Sequence, residues 1–247
     1  MTTTSPRRRI RNRVNTAEAP QRARVGNRRS PKSCILRLIR DARRAFPSAS
    51  QRSVVFTRKI NALIGSDETP FDCGNTFGRE TVAGRARLTI GFDNAQDACV
   101  TELAAGLAGP FQLLYVLHTT RTGAELGRYE SPVVTADRVH DFLRQFGPFL
   151  AQDARHDFWL RSHDDDATIV LDRHNIIFAY GPLQAFEKVL TRIGASPRGL
   201  PKVPDPHVHY YHEQWDESER VILATWPWTR TPLRTSDVQF SADDRAG

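Results

Sequence analysis

Residues 155–180 carry the clearest hydrophobic pattern of the chain. Apolar side chains recur there at every second position, in three runs that are separated by the polar segments 163–166 and 172–175. A period of two is typical of β-strands with one face on a core, and the polar segments are typical of turns. The apolar positions are Phe158, Leu160, Ile169, Leu171, Ile176, Phe178 and Tyr180. The pattern predicts a three-stranded antiparallel meander.

A symmetric first turn would fix the register of this meander. Phe158 would then oppose Leu171, and Leu160 would oppose Ile169, as a shared core face requires. The positions between them are also apolar, namely Trp159, Val170 and Ile177. We therefore expect the sheet to be buried on both faces.

Helical periodicity surrounds the meander. Thr135 is expected to cap a helix with an apolar stripe over residues 139–150, with a kink or a restart at Gly147-Pro148. Another helix is expected to begin at Gly181-Pro182 and to end at Gly194. Further helices are expected over 94–107, with Asn94 as cap, and over 216–225. Strands are expected over 85–92 and 111–118. Together with the helix between them, they could form a βαβ unit. The fold class predicted is α+β: an antiparallel or mixed sheet centred on the meander at about 156–180 and covered by two to three helices.

Charge divides the chain into an Arg-rich beginning and an acidic body. Residues 1–33 contain almost no large apolar side chains and are expected to be disordered. Residues 34–83 are expected to hold a basic amphipathic helix and a poorly defined linker. A single α+β domain is expected over 84–235, followed by a frayed polar segment over 236–247. We found no hydrophobic run long enough to span a membrane and expect a cytoplasmic, bacterial-type protein.

The open end of the first hairpin is the first candidate site. The same register places Asp157 opposite Asp172, beside His156 and His174. Two facing carboxylates destabilise a sheet unless a proton, a metal ion or a guanidinium, from Arg155 or Arg173, lies between them. The four residues are candidates for acid–base or metal chemistry, and a guanidinium bridge is the simpler interpretation.

A second candidate site lies near the end of the chain. His207 and His209 are two positions apart on an expected strand, so both imidazoles project from one face and could bind a divalent transition metal ion. His212 and Asp205 could complete the ligand set. Aromatic packing beside Tyr210 and Tyr211 is the alternative.

No motif for phosphate binding, serine hydrolysis or calcium binding stands out, and Cys99 is expected to be packed in a helix. Three functions therefore stay open. The first is a non-catalytic binding or interaction domain with a protein or small-molecule partner, and the second is a metal-dependent, hydrolase-like enzyme. The third is nucleic-acid association through the Arg-rich segment, for which the candidates are Arg7, Arg8, Arg9, Arg11, Arg13, Arg28 and Arg29.

Overall fold

Two antiparallel sheets organise the protein in the computed structural model, which describes residues 57–237. The strands are β1 (Ile60–Ile64), β2 (Asp67–Pro70), β3 (Thr76–Val82), β4 (Arg85–Gly91), β5 (Phe111–Leu117), β6 (Gly127–Glu130), β7 (His156–Ser162), β8 (Ala167–Leu171), β9 (Ile176–Tyr180), β10 (His207–His209) and β11 (Thr229–Thr231). Eight strands form the large sheet, in the order β11-β6-β5-β7-β8-β9-β4-β3, and three form a small sheet, in the order β10-β1-β2. The fold is α+β, as the sequence predicted.

The meander is β7, β8 and β9, and its first hairpin has the expected register. Phe158 pairs with Leu171 and Leu160 pairs with Ile169. The two strands and the helix expected over 85–118 are present, but they do not form a βαβ unit, because β4 pairs with β3 and β9, whereas β5 pairs with β6 and β7, all antiparallel. The helix between them therefore connects two strands that are not neighbours.

Four described helices supply the core: α1 (Gln96–Ala104), α2 (Ala136–Gln152), α3 (Leu183–Arg192) and α4 (Asp216–Ala224). Their apolar sides pack with the strand residues that include Leu113, Phe158, Leu160, Ile169 and Leu171. Burial of these side chains is the main driving force for the fold. Helix α2 continues through Pro148, and Gly147 lets α1 approach, because a Cβ there would lie 3.1 Å from the Cβ of Asp97.

The expected assignment of β9 to the two faces of the sheet is wrong. Ile177 pairs with Leu171 and Ala179 pairs with Ile169, so Ile177 and Ala179 share the helix-covered face. Apolar residues occupy both faces of β9, and alternation alone could not decide between them. On the opposite face, Trp159 and Phe178 are only half-buried, so this face is less covered than expected.

Strands β1, β2 and β3 lie before residue 84, within the segment expected to be a linker. Strand β2 is exposed throughout and β3 buries Phe77 as its one fully buried apolar side chain, so neither carries a strong hydrophobic pattern. The Arg-rich segment, the expected helix at 34–46 and the last ten residues lie outside the described residues. Over residues 57–237, no helix combines the length and the apolarity that crossing a membrane requires.

Candidate metal centre

Three imidazole rings meet between the small sheet and the β8–β9 turn. One ring nitrogen each of His174, His207 and His209 lies within 4.8 Å of those of the other two. The ring centroids are 4.9 to 5.1 Å apart, and all three residues are half-buried. The cluster thus joins one histidine from the first candidate site to two from the second.

Local structure accounts for the position of each ring. His207 and His209 alternate with Val208 on β10 and therefore share one face of the small sheet, where β1 holds β10 through the pairs Ala62–His207 and Ile60–His209. His174 lies in the turn at 172–175, which joins β8 to β9. Asn175 adopts a positive φ of 63° there, a conformation that asparagine tolerates better than most residues.

The carboxylate of Asp172 orients His174. Its Oδ2 accepts a hydrogen bond of 2.8 Å from Nδ1 of His174, and its Oδ1 accepts bonds from the backbone N–H groups of His174 and Ile176. Because an ionised carboxylate can only accept, Nδ1 carries the proton and Nε2 of a neutral His174 carries the lone pair. A carboxylate that fixes a histidine tautomer in this way is a common second partner of metal-binding imidazoles.

The backbone carbonyl of Pro204 fixes the tautomer of His207. The oxygen of Pro204 lies 2.8 Å from Nδ1 of His207, so this nitrogen donates and Nε2 carries the lone pair. The Nε2 atom of His209 is buried and has no hydrogen-bond partner among the described residues. Burial, followed by the charges of His174 and His207, lowers the pKa of His209 from 6.5 to about 3. His209 is therefore neutral near pH 7, as a metal ligand must be.

The distances suit a tetrahedral ion after a small closure. Zinc–nitrogen bonds of about 2.0–2.1 Å in tetrahedral geometry require nitrogen atoms about 3.4 Å apart. The three ring nitrogens lie within 4.8 Å of one another, so binding of an ion would require them to move closer together. The described residues offer three ligands in this group, and a fourth coordination position would remain for water or a substrate.

The two carboxylates of the first candidate site, Asp157 and Asp172, have different partners. Asp157 accepts hydrogen bonds from Nε2 of His118 and from the backbone N–H of Arg173, both at 2.8 Å, and the guanidinium of Arg173 lies 3.5 Å away. Burial acts to raise the pKa of Asp157, but His118 and Arg173 outweigh it and lower that pKa to about 2. Arg173, one of the two arginines considered from the sequence, thus interacts with Asp157, whereas Asp172 accepts a hydrogen bond from His174.

The other predicted site residues lie outside the cluster. His156 is fully buried on the helix-covered face, where Nδ1 lies 3.3 Å from the hydroxyl of Tyr115, and burial lowers its pKa well below 6.5. His212 donates to the backbone oxygen of Arg58 and stacks on Tyr210. Asp205 is exposed. The five histidines and three aspartates of the expected sites therefore do not form one site.

The burial of two cations near this region was not predicted from the sequence, which gave Arg155 only as a partner for the carboxylates of the first candidate site. Lys59 is fully buried and donates a 2.9 Å hydrogen bond to the backbone oxygen of Asp172. Burial lowers the pKa of Lys59 to about 8, although nearby carboxylates act against it. Arg155 is fully buried between Asp153 and Glu219, at 2.7 and 2.6 Å. No local sequence pattern distinguishes Lys59 and Arg155 from exposed Lys and Arg residues. Asp172 and Glu219 are distant from them in the sequence, and Asp153, which precedes Arg155 by two residues, belongs to no recognisable motif.

Comparisons with known protein families, with curated proteins and with solved structures gave no match to this chain.

Proposed function

We propose that this protein binds a divalent transition metal ion, zinc in the first instance, through His174, His207 and His209. The observation that carries the proposal is the convergence of three ring nitrogens within 4.8 Å of one another. Imidazole nitrogen suits zinc, copper, iron and nickel, and the tetrahedral preference of zinc matches three ligands with one open position. This proposal develops the metal-centred hypothesis of the sequence analysis, with a ligand set drawn from both candidate sites.

The surroundings of the three rings support the proposal. The hydrogen bonds that Nδ1 of His174 and Nδ1 of His207 donate, to Asp172 and to the Pro204 carbonyl, place the proton of each neutral ring on Nδ1 and its lone pair on Nε2. The buried Nε2 of His209 lacks a partner in the described part of the chain, and a buried polar atom without one costs free energy that a bound ion would recover.

Metal content tests the proposal directly. Full-length protein without a polyhistidine tag is stripped with a chelator, incubated with zinc, separated from free metal and analysed by mass spectrometry. We expect about one zinc ion per chain for the wild type and loss of stoichiometric zinc for His207→Ala and for His209→Ala. Substitution with cobalt should give the intense visible absorption of a four-coordinate ion.

His140→Ala is the matched control. The His140 side chain is 65% exposed on α2, so its removal should leave the zinc content unchanged. The proposal fails if wild-type protein retains no stoichiometric zinc, or if His140→Ala loses as much as His207→Ala.

A hydrolytic activity is the second candidate, and the open fourth position favours it. A zinc ion with three histidine ligands lowers the pKa of bound water to about 7, which supplies a nucleophile near neutral pH. We expect the zinc-loaded protein to hydrolyse an activated ester such as 4-nitrophenyl acetate, and His209→Ala to lack this activity. Zinc binding without turnover by the wild type would instead favour the non-catalytic binding domain.

A further inference from the structure

A groove crosses the large sheet on the face that the helices leave open. It has a volume of about 400 Å³ and is lined by residues of β4 to β8 and of the segment that follows β11. Pockets that hold small organic ligands have volumes of about 300–1,000 Å³. The groove is therefore large enough for a ligand of the size of a metabolite.

Arginine side chains dominate the walls of this groove. Arg85, Arg128, Arg161 and Arg234 line it, together with two acidic residues, Glu130 and Asp166. Residues 57–237 as a whole contain 19 Lys and Arg against 24 Asp and Glu, a net charge of −5. A basic groove in an acidic body attracts anions selectively to that place.

Carboxylates of the protein leave much of this positive charge unpaired. Among the described residues, neither Arg85 nor Arg234 forms an ion pair, and Arg161 approaches Asp166 only at 3.7 Å, with both side chains more than half exposed. Arg128 is the exception, since it donates a 2.7 Å hydrogen bond to Asp237. Three guanidiniums are therefore accessible to a ligand.

The segment after β11 holds Arg234 over the sheet. Asp237 accepts hydrogen bonds from Arg128 and from the backbone N–H of Arg234, both at 2.7 Å, while its backbone oxygen accepts one from Arg173 at 3.0 Å. Strand β11 fixes the other end of the segment by pairing with β6. The position of Arg234 is thus set by the fold.

Apolar side chains line the same groove between the arginines. Trp159 and Leu114 are direct neighbours on β7 and β5, and both are half-buried. Indole rings favour flat aromatic groups, and guanidiniums bind phosphate through paired hydrogen bonds. Glu130, whose side chain makes no ion pair within residues 57–237, can accept hydrogen bonds from hydroxyl groups.

We propose that this groove binds a mononucleotide-type ligand, with a flat ring on Trp159 and Leu114 and a phosphate group on Arg161, Arg85 and Arg234. The acidic Glu130 would accept hydrogen bonds from the hydroxyl groups of the sugar. This site is separate from the three histidines, and its occupation does not depend on a metal ion.

Calorimetric titration of the full-length, metal-free protein tests the proposal with AMP, adenosine and inorganic phosphate as probes. AMP should bind, and adenosine and phosphate should each bind at least about tenfold more weakly, because each offers only part of the ligand. Affinity for AMP should fall as salt rises. The double variant Arg161→Glu/Arg234→Glu should weaken AMP binding by at least about tenfold, which a loss of 1.4 kcal/mol would produce.

Arg138→Glu/Arg144→Glu is the control, because it makes the same two Arg-to-Glu changes at exposed positions of α2. It should change the AMP affinity less than twofold if the groove is the site. The control also excludes nonspecific attraction to the Arg-rich residues 1–33, which both variants retain. Absence of AMP binding, equal binding of phosphate alone, or equal weakening by Arg138→Glu/Arg144→Glu would overturn the proposal.

Discussion

Asp172→Asn should weaken zinc binding by exchanging the tautomer of His174. In the wild type, Oδ2 of Asp172 accepts the Nδ1 proton of His174 at 2.8 Å, while Oδ1 accepts two backbone N–H groups. An asparagine can keep its oxygen on the backbone donors, and its NH₂ group then faces Nδ1. Two donors cannot share that contact, so the favoured tautomer of His174 carries its proton on Nε2, the nitrogen needed by the metal.

The size of the effect follows from the contact that is lost. Removal of a carboxylate behind a metal-binding histidine typically costs about 10–100-fold in metal affinity, equivalent to about 1.4–2.7 kcal/mol. The fold itself should change little, because the turn keeps an acceptor for both backbone N–H groups. Zinc affinity should therefore fall much more than the stability of the metal-free protein.

Competition against a chromophoric zinc chelator measures this loss, and urea unfolding of the metal-free proteins measures stability. Asp205→Asn is the matched control, because Asp205 is exposed and its substitution removes the same charge two residues before His207. Its zinc affinity should stay within about twofold of the wild type. The reasoning is refuted if Asp172→Asn binds zinc as tightly as the wild type, or if Asp205→Asn weakens binding equally.

Three further predictions concern stability. In the metal-free protein, the pKa of His209 is about 3 rather than 6.5, so the unfolded chain binds more protons than the folded protein between these pH values. The free energy of unfolding should therefore rise with pH across this range. Urea unfolding at several pH values should show a smaller rise for His209→Gln than for the wild type, and an equal rise would contradict this. Zinc at 100 times its dissociation constant should add about 2.7 kcal/mol to the wild type but not to His207→Ala, as measured by urea unfolding. Arg155→Leu leaves two buried carboxylates without their cation and should lower the free energy of unfolding by about 3–5 kcal/mol. In the same assay, Arg144→Ala, which removes an exposed ion pair, should lower it by less than about 1 kcal/mol, and similar losses for the two variants would contradict the argument.

The meander and its first register were predictable because they depend on local signals. Alternation selects one face of each strand, and a short symmetric turn then fixes which residues pair across the hairpin. The same reasoning failed on β9, where Ile176, Ile177, Phe178 and Ala179 form a continuous apolar run. It also missed β1 to β3. Strand β1 pairs with the distant β10, whereas β2 and β3 pair with their neighbours in the chain, β1 and β4, and bury few apolar side chains of their own.

The histidine cluster was only half predictable. The spacing of His207 and His209 identifies two imidazoles on one face, because the geometry of a strand is local. The third member, His174, comes from a turn 33 residues earlier in the chain, and no periodicity links it to β10. Only the pairing of β10 with β1 and the position of the β8–β9 turn bring the rings together.

Because the three histidines come from both sheets, a bound ion would affect the stability of the fold as well as its chemistry. His207 and His209 belong to the small sheet and His174 belongs to a turn of the large sheet, so an ion held by all three would connect the two sheets. Strand β10 has three residues, and within residues 57–237 it pairs with β1 alone. Because so short a strand offers few hydrogen bonds, the metal would contribute much of what holds it in place, and metal affinity and local stability would rise and fall together.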